Sequence, residues 1–157
     1  MNLVRRARED DIPALLELLV QVNMVHHTGR PDIFRGPTTK YNREQLLDLL
    51  EEENAPIFVC EGEDGTVKGH AFCVLKQFPN HPLLTDNKEL YIDDICVREE
   101  CRGQGVGRTL FQHVKDYARS MGCHNLTLNV WECNPGAKAF YTAMGMVPYK
   151  VGMETIL

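Results

Sequence analysis

The chain has 157 residues, 43% of them hydrophobic, enough to bury one substantial core and hardly two. A formal net charge of −5 argues against a nucleic-acid surface, which carries a basic excess, and suits a cationic acceptor. No apolar run approaches the roughly 20 residues needed to cross a bilayer, and the N-terminal stretch turns charged at once, so no membrane partner and a cytoplasmic location are expected.

Residues 3–8 read as a short strand. Asp10 or Asp11 then caps a helix with Pro13 in its first turn, and Ile12, Leu15, Leu16, Leu19 and Val22 form its apolar face. His26 and His27 fall near its end; adjacent residues do not share a helical face, which argues against a metal site there. Residues 28–40 are rich in turn formers and break the pattern. A second helix follows over 42–53, with Leu46, Leu47, Leu49 and Leu50. Residues 56–60 and 66–78 read as antiparallel strands joined by the turn Glu63-Asp64-Gly65. A loop over 80–88 precedes a strand over 90–97.

The next segment carries the most chemistry. Gly103, Gly105 and Gly107 remove side chains where backbone N–H groups converge, and a helix opening near Val106 adds unpaired donors and the positive end of its dipole. Arg102 and Arg108 flank the turn with positive charge. Together these make a site for a phosphate or diphosphate. A Walker A loop ending on Gly107-Arg108-Thr109 would need Gly at Arg102 and Lys at Arg108. A dinucleotide fingerprint starting at Gly103 or Gly105 would need Gly at Arg108 or Leu110. Both fail, and what remains is Arg-x-x-Gly-x-Gly from Arg102 to Gly107.

Downstream, Val106, Leu110, Val114, Tyr117, Ala118 and Met121 share one helical face, and Gly122 supplies a stop. Residues 125–131 alternate as a strand through Leu126, Leu128 and Val130. Asn134-Pro135 opens another helix, with Ala137, Phe140, Tyr141 and Met144 as its buried stripe and Gly145 at its end. Residues 149–157 read as a final strand. The six cysteines form no Cys-x-x-Cys pair and read as reduced, packed thiols.

This succession over roughly residues 89–147 resembles the core of the GNAT superfamily of N-acetyltransferases. The resemblance implies a single acetyl-CoA-dependent N-acetyltransferase domain over residues 1–157 with an α+β fold. One mixed, mostly antiparallel sheet of six to seven strands would be flanked by about four helices, its central strands splaying near Val97 and Val130. It assigns the coenzyme diphosphate to the backbone of Gly103, Gln104, Gly105, Val106, Gly107 and Arg108, with Arg102 nearby. It assigns the pantetheine arm to the strand end at Ile95, Cys96 and Val97, with an oxyanion donor near Ile95. Asn134 would both cap its helix and contact the coenzyme. Tyr141 would contact the coenzyme and protonate the departing thiolate, a phenol being matched to a thiol one or two pKa units lower.

The family has no fixed base. Glu89, Asp93 and Asp94 are the candidates; in a regular strand Asp93 and Asp94 point to opposite faces, and a bulge would change that. By the same resemblance His27, Asp32, Phe34, Tyr41 and Phe78 line the acceptor side. The expected reaction is direct acetyl transfer to a primary amine of a small molecule in a ternary complex, with no metal. A protein N-terminus or lysine as acceptor, and a noncatalytic coenzyme A-binding regulatory module, are the alternatives. A homodimer through the final strand is a further expectation.

Overall fold

The computed structural model describes residues 2–157. One five-stranded sheet runs in the spatial order β1 (Leu3–Arg6), β2 (Ile57–Glu61), β3 (Val67–Lys76), β4 (Glu89–Val97) and β5 (Asn125–Leu128). The first four strands pair antiparallel and β5 joins β4 in parallel. Helices α1 (Ile12–Gly29) and α2 (Arg43–Glu51) cover one face, while α3 (Val106–Ser120) and α4 (Pro135–Ala143) cover the other.

Local chemistry sets the helix ends. Asn42 accepts the N–H of Gln45 at 2.9 Å and Gln45 returns a bond to the N–H of Asn42, closing both ends of a capping box. Asn134 accepts the N–H of Ala137 at 3.3 Å, with Pro135 in the first helical position, where no N–H is missed. Asp11 precedes α1 but bonds the N–H of Arg8 and the Arg5 guanidinium instead of capping the helix.

Two apolar layers sandwich the sheet. Phe58, Leu90, Ile92, Leu110, Phe111 and Val114 pack on the α3 side; Ile12, Leu15, Leu19, Leu46, Val59 and Phe72 pack on the α1–α2 side. Full burial of a side chain such as Phe111 contributes roughly 2–3 kcal/mol. Gly69 marks a close approach, since a Cβ there would lie 2.8 Å from the carbonyl oxygen of Cys96 and 3.0 Å from Leu110.

Five strands replace the expected six to seven. The segment read as a final strand, residues 149–157, lies in no helix or strand. Its alternating Tyr149, Val151 and Met153 have a strand's pattern but no neighbouring ladder, and all are exposed. The tail is held instead where the Arg30 guanidinium meets the Glu154 carboxylate, 3.1 Å in one of the two contacts. β5 stops at Leu128, and its pairing with β4 ends at Ile92↔Leu128. The two strands therefore part nearer the middle of the sheet than the expected Val97 and Val130. No helix among the described residues is long and apolar enough to cross a membrane.

Candidate active site

The glycine-rich turn lies between a 3-10 turn, Glu99–Cys101, and α3. Gly103 and Gly105 take φ of 78° and 81°, a left-handed conformation that costs any residue with a Cβ. A Cβ added to either meets nothing within 4 Å, so the turn borders open space. Thr109 is the first helical residue whose N–H closes on a backbone carbonyl, that of Gly105 at 3.0 Å. Among the described residues, no hydrogen bond engages the N–H groups of 103–108. These free donors, with the exposed Arg102 and Arg108 beside them, fit a diphosphate. A Cβ at Gly107 would touch Phe140 at 3.4 Å and Val97 at 3.5 Å, so the opening of α3, the end of β4 and α4 meet there.

The end of β4 has no neighbouring strand on its β5 side. Arg98 donates its N–H to Lys68 O at 2.7 Å, on the β3 side. Antiparallel ladders alternate, so the N–H and C=O groups of Val97 and Ile95 point away from β3 into the gap left by β5. Gln21 of α1 reaches the Val97 carbonyl from that edge at 2.8 Å. Cys96 turns its backbone toward β3 and buries its side chain, where desolvation pushes the thiol up to about 12. Of the three strand-end residues, Ile95 and Val97 can pair with an extended ligand, and Cys96 cannot.

A bulge sets the acidic pair. Phe72 lies opposite Asp94 and Cys73 opposite Ile92, so Asp93 is the extra residue in β4. Leu90 and Ile92 belong to the α3-side core, whereas Cys96 belongs to the α1–α2 side, so the strand changes phase at this point. Asp93 and Asp94 consequently both face the α1–α2 side of the sheet. Asp93 bonds the Lys40 ammonium, which lies 5.5 Å from the Tyr41 ring centroid. Asp94 Oδ2 lies 3.1 Å from Nε2 of the wholly buried His70.

Tyr141 of α4 packs against Phe140 and Phe111, with ring centroids at 5.4 and 6.3 Å. Burial, reinforced by the negative charge of Asp94, raises its hydroxyl above the ordinary phenol range. That hydroxyl has no hydrogen-bond partner among the described residues and remains a proton donor at neutral pH. Burial also raises the Tyr41 hydroxyl, which stays protonated beside the same carboxylates. Burial would lower the Lys40 ammonium, but its bond to Asp93 prevails and raises it.

Not every expected residue comes to this place. Glu89 lies at the far end of β4, opposite Lys76 and Asn125, and takes a hydrogen bond from Thr127. It lines a separate depression with Phe78, Leu84, Thr85, Asn87, His124 and Asn125, so neither Glu89 nor Phe78 joins Asp94. Asp32 is paired with Arg30 at 2.8 and 2.9 Å on the exposed surface. His27 is spent on the Phe34 carbonyl, with Nδ1 at 2.7 Å. Phe34 stands between His26 at 4.9 Å and Trp131 at 5.2 Å, and Tyr41 stacks on Phe72 at 5.9 Å. His26, Lys40, His70 and Trp131 were not singled out for the site by sequence; an isolated histidine in the apolar run Gly69-His70-Ala71-Phe72 was the available signal. Among the described residues, no group of three or more His, Cys, Asp or Glu could hold a metal ion.

The sequence model of the acetyltransferase (GNAT) family matches residues 5–146. The chain belongs to this family. Among curated relatives, streptothricin acetyltransferase from Streptomyces lavendulae is 35% identical over 95 residues, covering 60% of this chain and 46% of that protein. Thialysine N-ε-acetyltransferase from Bos taurus is 38% identical over 58 residues, covering 37% of this chain and 34% of the relative. The chain thus spans about half or less of the length of these relatives. The crystal structure of a mutant BH1408 protein from Bacillus halodurans superposes with a TM-score of 0.94 at 31% identity, covering 99% of both chains. The GNAT fold seen here is therefore shared along the whole described chain.

Proposed function

We propose that the chain is a single domain that transfers the acetyl group of acetyl-CoA to a primary amine of a small molecule, by direct attack in a ternary complex. The observation that carries this reading is the gap between β4 and β5, which has unpaired turn amides at its mouth and Asp94 and Tyr141 along its walls. Acetyl-CoA supplies the acyl group as an activated thioester.

The N–H groups of residues 103–108 bind its diphosphate, and Arg102 and Arg108 add charge. Ile95 and Val97 align the pantetheine arm as an added strand, turning remote binding energy into orientation. The Ile95 N–H faces the charge that develops on the acyl oxygen. Asn134 keeps its cap and turns its amide donor toward the same arm.

The acceptor arrives as an ammonium and meets Asp93 and Asp94. Lys40 shows what those carboxylates accept: an alkylammonium held by Asp93 beside the Tyr41 ring. Asp94 takes the proton that the amine must lose, directly or through water. As the C–N bond forms and the C–S bond breaks, Tyr141 gives its proton to the departing sulfur. Phe34, Trp131 and Tyr41 provide the apolar wall.

The names of the relatives support an amine acceptor, since one is called after streptothricin and another after the ε-amine of thialysine. A coenzyme A release assay with a panel of diamines, amino acids, amino sugars and short peptides tests the proposal. Turnover of free amines well above that of peptides is the expected result. Turnover confined to peptides would remove the small-molecule reading, and none with any acceptor would remove the enzyme.

A further inference from the structure

His70 sits in the middle of β3 with no solvent exposure. A neutral imidazole carries one donor nitrogen and one acceptor nitrogen. Its Nε2 faces Asp94 Oδ2 at 3.1 Å, while Nδ1 is buried with no partner among the described residues. A proton on Nδ1 would leave that donor unpaired and turn the Nε2 lone pair against a carboxylate oxygen. A charged imidazolium would likewise strand an Nδ1–H in the core. The proton therefore resides on Nε2, which donates to Asp94.

The fold makes this contact deliberately awkward to obtain. Without the bulge at Asp93, the strand phase would carry Asp94 to the α3 side, away from His70. With it, Asp94 shares a face with His70 and Phe72, whose rings meet edge to face at 4.8 Å. The groups around Asp94 are Asp93 and Cys96 on its own strand, His26 from α1, Lys40 and Tyr41 ahead of α2, and Tyr141 from α4. Among the described residues, His70 alone donates a hydrogen bond to the Asp94 side chain. The second carboxylate oxygen accepts no hydrogen bond among the described residues.

We propose that His70 is a positioning residue for the acetyl transfer, an Nε2–H donor that aims the Asp94 carboxylate at the acceptor's proton. This rests on the role given to Asp94 under the proposed function. Losing the donor frees the Asp94 side chain to leave the orientation that transfer needs.

Three substitutions separate aiming from packing. His70→Met removes the donor at similar bulk, His70→Asn places an amide too short to reach Asp94, and His70→Gln places its amide nitrogen near the position of imidazole Nε2. Each is measured for kcat, for KM of the acceptor, and for coenzyme affinity by calorimetry, in the wild-type and Asp94→Asn backgrounds. His70→Met and His70→Asn should lower kcat about 10- to 100-fold while KM for the acceptor changes less than about threefold. Coenzyme affinity should stay within about threefold, and His70→Gln should recover most of the rate. In Asp94→Asn, His70→Met should cost less than about twofold more. An unchanged kcat in both donor-less variants, or equal losses in the Gln and Asn variants, overturns the proposal. An equal loss in the Asp94→Asn background also overturns it by showing a packing role. Should Asp94→Asn alone leave kcat intact, the role of Asp94 itself falls, and the proposal with it. If His70→Met does not fold, the Gln and Asn pair decides.

Discussion

Asp94 stands opposite Phe72, and the residue before it has no counterpart on β3. That single irregularity turns two neighbouring carboxylates toward one side of the sheet and gives them different partners: Asp93 holds Lys40 and Asp94 holds His70. The two carboxylates should therefore separate kinetically. Asp93→Asn should raise KM for cationic acceptors about tenfold with a smaller effect on kcat. Lys40→Met should lower that KM severalfold by removing an internal competitor. Because the Lys40 side chain is 50% exposed, its loss should change stability by less than about 1 kcal/mol. Steady-state kinetics at fixed ionic strength measure both effects, and a Lys40→Met variant with raised KM would count against the competitor role.

Gly105→Asp probes the anion site. Aspartate tolerates a left-handed conformation better than most side chains, so the strain at φ 81° costs about 1 kcal/mol and the fold survives. Its carboxylate would sit in the open space where the diphosphate is proposed to lie. Coenzyme A affinity should fall at least about 100-fold in calorimetry while the circular dichroism spectrum is retained. Undiminished affinity would move the binding site elsewhere.

Tyr141→Phe should lower kcat about 100-fold and leave coenzyme affinity within about threefold, because only a transferable proton is deleted. The pH dependence has a definite sign. Burial and the Asp94 charge raise the hydroxyl, so its protonated, competent form persists above the ordinary phenol pKa of about 10. The wild-type kcat should show no loss from this group between pH 8 and about 10. A descending limb near pH 9 that vanishes in Tyr141→Phe would contradict the raised value.

Acid stability should depend on the start of the chain. Burial alone would raise the Asp11 carboxyl, but Arg5 at 2.7 and 3.0 Å and the Arg8 N–H at 2.8 Å bring it net below its ordinary value of 3.8. A depressed folded-state pKa adds stability above about pH 4, and that contribution is lost as pH falls through the folded value. Asp11→Asn should cost about 2 kcal/mol at pH 7 and make Tm less sensitive to pH below 4. Thermal unfolding of the two proteins between pH 2.5 and 7 reads both effects.

Local signals carried much of the architecture. Asn134 with Pro135 and the apolar stripe of α3 mark helices through signals that lie within a few residues of one another. The glycines at 103 and 105 were equally legible, since positive φ is a property of one residue. The bulge was named only as what would change the facing of Asp93 and Asp94, because it exists only in the register of β4 against β3, two strands joined by a long loop. His70 shares that fate: its meaning comes from a carboxylate 24 positions away that only the bulge brings within reach. Glu89 and Phe78 were misplaced toward the acceptor because closeness in sequence to Asp93 and to β3 does not show which end of the strand a residue occupies. Residues 149–157 had a strand's alternation, but alternation reports a possible face and not the presence of a neighbour.

Because β5 is joined to β4 through only four paired positions, ending at Ile92↔Leu128, the sheet is short of one rung where the wedge opens. On the proposed reading, the coenzyme arm is that rung, so occupancy and folding become one equilibrium. At ligand concentrations a hundredfold above Kd, the folded state gains about 2.7 kcal/mol. The protein would then be most resistant to unfolding in surroundings rich in the carrier it consumes, and starvation for the acyl donor would also shorten its lifetime.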